Sequence, residues 1–154
     1  MLTVTVQSKP VDDLLSKLLE QMGNLQPAMQ AIGQELNSRV SARFETRSDP
    51  LGKAWAPWAE STRENYPKDG RGLLLERYGD MLKSLNFQAD SSSVRVGFGA
   101  VASKQGDVYA AYHEWGTVKM PRRGLLFADP DAGTLAPDDE TAVLDILGVF
   151  LVPD

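Results

Sequence analysis

Apolar residues Val11, Leu14, Leu15, Leu18, Leu19 and Met22 recur three or four positions apart, the spacing of a helix with one apolar face. Asp12 and Asp13 fall in its first turn, where the helix dipole favours carboxylates, and Gly23-Asn24 reads as its C-cap. Leu2 to Val6 alternates with threonine and predicts a strand, ended by Pro10. A second helix starts near Pro27, a residue suited to a first helical turn. Its apolar positions are Met29, Ile32, Leu36, Val40 and Phe44, and Gln30, Gln34, Ser38 and Arg39 face the other way. That pattern predicts a helix of about 20 residues, about 30 Å long. Arg39, Arg43 and Arg47 form a ladder near its C-terminus, either compensating the dipole or presenting an interface or phosphate-facing stripe.

The pattern changes from Ser48 to Arg71, where turn residues dominate. Asp49-Pro50-Leu51-Gly52 is a turn sequence, with proline presetting φ and glycine free to take positive values. Trp55, Pro57 and Trp58 follow. Two tryptophans in a polar loop need cover, either from the chain's own helices or from a partner. Lys68-Asp69-Gly70-Arg71-Gly72 reads as an exposed tip.

Tyr78 to Leu85 suggests a short helix leading into a strand, and the runs 86–89 and 94–98 flank Asp90-Ser91-Ser92-Ser93 as a hairpin. A polar loop runs from Gly99 through Gly106. Val108 to Trp115 is a buried strand or a short helix, which periodicity does not decide. Arg123 to Phe127 reads as another short strand. Pro137 and Asp138-Asp139-Glu140 open a last helix with Val143, Leu144, Leu147, Phe150 and Leu151 on its apolar side. The predicted class is α+β: a small antiparallel sheet packed against a long helix, with long interaction loops and a C-terminal helix. With 154 residues, one domain over 1–154 is the simplest organisation.

Charge sharpens this picture. The net charge is -5, but residues 39–83 carry nine positive against seven negative side chains. From Ala128 onward there are seven carboxylates and no cation. The acidic end is either a solvated helix start or a surface that docks on a basic patch and repels polyanions. A nucleic-acid footprint over the whole chain is disfavoured. Cysteine is absent, which excludes disulfides and thiolate metal sites and fits a reducing compartment. No apolar run approaches the length that spans a bilayer, and MLTVTVQSKPVDD is not a secretory signal.

Candidate chemistry is thin. His113 is the single histidine and the one side chain suited to act as base in a nucleophilic triad, yet neither Ser84 nor Ser103 lies in a GxSxG elbow. His113-Glu114 lacks the second histidine of HExxH. Gly97-Phe98-Gly99 is too short for a dinucleotide fingerprint, and no phosphate loop is present. The expectation is no catalytic residue, no metal site and no cofactor, with His113 a structural residue bonding the loop backbone. The segment Tyr109 to Phe127, YAAYHEWGTVKMPRRGLLF, places Arg122 and Arg123 beside Tyr112 and Trp115. Such residues can stack on and pair with single-stranded nucleic acid, but arginine among aromatics is also the composition of protein–protein hot spots. The interface is favoured.

These residues also carry a resemblance. Phe44-x4-Asp49-Pro50-x-Gly52-x2-Trp55-x-Pro57 after a long helix, then GDMLKSL from Gly79, VRVG from Val94, YAAYHEWG from Tyr109 and the run from Pro121 to Phe127, resemble the phage virion morphogenesis family in order and spacing. That family includes the Mu-like G protein and P2-type tail completion proteins. The YAAYHEWGT stretch is also similar to HK97-type neck and tail-completion proteins. The likeness spans about residues 2–150. It departs at Pro121-Arg122-Arg123-Gly124-Leu125, where the family has a Pro-Ala-Arg-Pro-Phe-like run. Arg123 matches the family arginine, Gly124 replaces a proline, and Trp58 stands where leucine is commoner.

The resemblance implies a non-enzymatic structural protein of the virion, at the head–tail junction or the top of the tail, present in the host cytoplasm during assembly. It implies a homo-oligomeric ring, a hexamer being one stoichiometry that fits, in contact with tail-tube and connector or portal-side neck proteins. DNA would only pass through the channel, and no membrane is involved. Trp55, Trp58, Tyr109, Tyr112, Trp115, Arg122 and Arg123 are then the expected interface residues. Asp49, Pro50, Gly52, His113, Gly116 and Pro121 are expected to shape the loops. The acidic C-terminal segment is expected to face the channel or a docking partner.

Overall fold

The computed structural model describes residues 6–99 and 109–151. Residues 1–5 of the expected N-terminal strand, residues 100–108 of the polar loop with Ser103 and Val108, and residues 152–154 lie outside the described residues.

Helix α1 spans Lys9–Met22. Pro10, expected to end a strand, instead sits in the first turn of this helix, where a missing N–H leaves nothing unsatisfied. Ser8 caps it: its Oγ accepts from the Val11 amide at 3.4 Å and donates to Glu140 Oε2 at 3.0 Å. The Gly23 amide closes the other end on the Leu19 carbonyl. Helix α2 spans Gln26–Thr46, and its 21 residues make a spine about 30 Å long. Two short helices follow, α3 at Glu60–Glu64 and α4 at Asp80–Lys83. The hairpin then pairs β1 (Leu85–Ala89) with β2 (Val94–Phe98) antiparallel, Phe87 opposite Val96. Its turn is tied by Asp90, whose carboxylate accepts from the Ser92 and Ser93 amides. Helix α5 is Tyr109–Trp115 and α6 is Pro137–Leu151.

The order of layers follows from which faces are apolar. The hairpin packs on α2, while α6 packs against both α2 and α1. The Ser8–Glu140 bond places the starts of α1 and α6 together. Arg43 and Asp139 bring the C-terminal half of α2 to the start of α6. Helix α6 therefore runs alongside α1 and opposite to α2. At Gly33 the α2 backbone meets the hairpin so closely that a Cβ would fall 2.3 Å from the Phe87 ring. No other residue type fits there without moving that ring.

Two apolar clusters are strung along the spine. Ala28, Met29 and Ile32 in the first half of α2 pack with Leu18, Val143 and Leu147. Val40 and Phe44 in the second half pack with Trp55, Phe98, Ala110 and Phe127. Leu135 packs against both. Helix α1 is the least buried of the long helices: only Val11 and Leu18 are buried, and Leu19 and Met22 are exposed. Between Leu15 on α1, Met29 and Leu36 on α2, and Val94 and Val96 on the hairpin lies a cavity of about 500 Å³.

The α+β class, the sheet packed on a long helix and the C-terminal helix are all present. The segment from Arg123 to Phe127 is not a strand. The amides of Leu125, Leu126 and Phe127 are taken by a side chain rather than by a neighbouring strand, as described next.

Candidate functional site

Glu114 organises the most informative segment. It is fully buried on α5. Its Oε2 accepts from the Leu125 and Leu126 amides at 2.6 and 2.9 Å, and its Oε1 from the Phe127 amide at 3.0 Å. Three successive N–H groups converging on one carboxylate make a concave backbone arrangement that no strand ladder permits. A buried charge needs such partners, because an unpaired carboxylate in an apolar surround is strongly disfavoured. Arg122 completes the set from outside, donating to the Glu114 and Phe127 carbonyls at 2.6 Å each and lying 3.5 Å from Glu114 Oε1. Gly116, at φ 74, lets the chain leave α5 directly beneath Arg122. A Cβ there would sit 2.9 Å from the Arg122 amide nitrogen.

Both arginines fasten the loop through backbone carbonyls. Arg123 is buried and donates to the Ala56 and Pro57 carbonyls, both at 2.8 Å. It joins the 121–127 segment to the tryptophan loop. These bonds hold Arg123 in the interior, and Arg122 spends most of its donors on the loop backbone. The expectation that both lie on an adhesive face is corrected for Arg123, which is buried, whereas the Arg122 side chain keeps about 30% of its surface exposed.

Trp55 is corrected likewise. It is 5% exposed, packs edge-on against Phe44 with ring centroids 5.5 Å apart, and donates its indole N–H to the Gly124 carbonyl at 3.0 Å. The turn at Asp49, Pro50 and Gly52 delivers it there. Asp49 Oδ1 accepts from the Leu51 and Lys53 amides, and the Trp55 amide returns to the Arg47 carbonyl at 2.8 Å. Of the two sources of cover open to this loop, the chain's own core supplies it for Trp55. Trp58 is half-buried and stacks on Tyr66, centroids 4.7 Å apart.

Of the arginine ladder of α2, Arg43 alone is buried. It donates to the Leu125 carbonyl at 2.6 Å and pairs with the buried carboxylate of Asp139. Arg39 pairs with Glu35 at 2.7 Å and approaches Asp139 at 3.6 Å. Arg47 ends the helix in a left-handed conformation. Part of the acidic C-terminal segment is thereby used inside the molecule, Asp139 by the arginines and Glu140 by Ser8. Asp138 and Asp145 stay exposed.

His113 contributes its backbone rather than its ring to the loop: its carbonyl accepts the Arg123 amide at 2.8 Å. The ring is largely enclosed, and Nδ1 has no hydrogen-bond partner among the described residues. Burial, and secondarily the charge of Arg123, lower the ring from 6.5 to about 4. The unfolded chain protonates this group near its ordinary value, so the folded state binds fewer protons below it. Stability is complete above pH 6.5 and is lost as pH falls from there to about 4, by up to about 3 kcal/mol. Thermal melts across this range are expected to show a smaller acid loss for His113→Phe than for the wild type. Parallel profiles would mean that the ring is not held neutral.

Two aromatic surfaces stand out among the described residues. One is a knob formed by Tyr112 and Trp115 on α5 and by Val118 at the tip of the Thr117–Met120 turn, all three exposed. The Trp115 indole N–H is anchored to Asp131 at 3.1 Å. Val118 had no sequence signal beyond lying between two turn residues. The other is a groove of about 870 Å³. Trp58, Tyr66 and Leu75 form one wall, and Tyr109, Lys119 and Pro121 the other. Arg77 lies over the Tyr66 ring, 5.9 Å from its centroid. The groove is the site of the expected interface residues Trp58 and Tyr109, and the knob of Tyr112 and Trp115. Among the described residues no group of histidine, aspartate and glutamate is placed to hold a metal, and no helix is long and apolar enough to cross a membrane.

No curated protein and no solved structure matches the chain significantly. The model of the phage virion morphogenesis family matches residues 6–151, nearly the whole chain. Members of such a family are typically structural components associated with the virion. The chain belongs to the phage virion morphogenesis family.

Proposed function

We propose that this protein works at the phage head–tail junction, as a tail-completion or neck component. It oligomerises into a ring around the DNA channel and joins the tail tube to connector proteins. The family match over residues 6–151 carries this reading. The exposed knob of Tyr112, Trp115 and Val118 supports it, since aromatic and apolar tips on a solvent face are the usual anchors of protein–protein contacts. DNA passes through the ring without being gripped. The net charge of -5 gives weak repulsion rather than adhesion.

The test is genetic and physical together. A phage lacking this protein is expected to yield DNA-filled heads and separate tails that fail to join. The purified protein is expected to form closed annular particles in negative-stain images. Joined, infectious virions from the deletion phage would overturn the assignment.

A further inference from the structure

We propose that the groove between Tyr66 and Tyr109 receives the outward face of α6 from the next copy of this chain, with Val149 seated among the aromatic rings and Asp145 set against Arg77 and Lys119. The inference rests on the ring reading above and names the two surfaces that close it.

The outward face of α6 has no cover among the described residues. Asp138, Thr141, Asp145 and Val149 are exposed at helical spacing, and Val149 is 72% exposed. Asp145 has no ion-pair partner among the described residues. Four residues separate Asp145 from Val149, so the acid and the apolar tip stand one turn apart on the same side. Together they present a carboxylate and a branched apolar side chain to whatever docks there.

The groove presents the complement. Trp58, Tyr66 and Tyr109 give it an apolar, aromatic lining. Arg77 and Lys119 stand on its walls as exposed cations with no carboxylate partner among the described residues. Arg123 also lines it but is committed to the Ala56 and Pro57 carbonyls. Asp80 is the acidic member of the lining. Two exposed cations without a carboxylate partner among the described residues, Arg77 lying over the Tyr66 ring, together with one carboxylate and apolar walls suit an acidic-apolar helix face. A polyanion needs a denser run of cations to release its counterions.

Chain topology makes the contact intermolecular. The groove is built from residues 57–81 and 109–123, whereas α6 packs on α1 and α2. Two unlike and complementary faces on one molecule give a heterologous contact. Such a contact repeats from copy to copy and closes into a ring when the rotation closes.

The chain has no cysteine, which makes crosslinking decisive. The full-length Lys119→Cys, Asp145→Cys double variant, treated with a short bismaleimide, is expected to give a ladder of dimers, trimers and higher species. Either single variant is expected to give almost none. In parallel, Arg77→Asp with Lys119→Asp is expected to weaken self-association at least tenfold in sedimentation, and adding Asp145→Lys to that chain is expected to restore most of it. A wild type that associates while the double-cysteine chain gives no ladder and the reversed charges change nothing would overturn this pairing and leave the ring standing. A wild type that never self-associates would overturn the ring as well. Variants that associate normally but lose salt-dependent binding of a single-stranded oligonucleotide would make the groove a polyanion site and overturn the pairing.

Discussion

Replacing Glu114 with alanine is expected to lower the melting temperature by roughly 6–20 °C, or to prevent folding. Three backbone amides end on this carboxylate, and each buried donor left unmade costs about 1–3 kcal/mol. Some of that is recovered if water enters, so a net loss of about 3–5 kcal/mol is expected. Against a total stability of about 5–15 kcal/mol, at about 2–4 °C per kcal/mol for a chain of this size, that is most of the safety margin. Glu114→Gln is the informative companion. It keeps one acceptor oxygen but turns an NH₂ toward donors, and it is expected to fall between alanine and wild type. Circular dichroism melts of the three proteins check this ordering. An alanine variant within a degree or two of wild type would remove Glu114 as organiser of the 125–127 segment.

The second large effect is expected at the Arg43–Asp139 pair, which fastens the start of α6 to α2. Breaking a buried ion pair from one side leaves the other charge stranded, at about 3–5 kcal/mol. Arg43→Met strands Asp139, which keeps only Arg39 at 3.6 Å, and it also frees the Leu125 carbonyl. Asp139→Leu strands a guanidinium that retains Leu125. The double replacement is expected to be less destabilising than the two single effects added together, because no lone charge remains inside. Denaturant unfolding of the four proteins measures the coupling directly. Strict additivity would show that the two side chains do not depend on one another.

Much of the fold was legible because it is written locally. Helices α1, α2 and α6 announce themselves through apolar residues three and four apart, and the hairpin through two short alternating runs around the turn residues Asp90-Ser91-Ser92-Ser93. The short helix α3 carried no such signal, since ESTRE has no apolar position to repeat. The internal fasteners were illegible for a different reason. Arg43 meets Leu125 and Asp139, Trp55 meets Gly124, and Arg123 meets Ala56. Each partner lies far along the chain, and only the folded topology makes these polar side chains interior. Surface arginine and buried arginine look alike when read one residue at a time. Glu114 did leave a trace: it is the sole acidic residue between Asp107 and Asp129, within a stretch rich in aromatics. A lone carboxylate in such company asks for buried donors. The exposed groove and knob came only in part, through Trp58, Tyr109, Tyr112 and Trp115, because a sequence shows which residues can stick but not which ones the core has already claimed.

The cavity under α1 fixes which part of the molecule gives way first. That helix contributes two buried side chains and borders an open pocket of about 500 Å³, so lifting it forfeits less packing than lifting α2. The far half of the spine is locked by Phe44, Trp55 and the Glu114 and Arg43 bonds. The molecule is thus graded, with a rigid end that carries the aromatic groove and knob and a compliant end that can yield to a neighbour without disturbing them.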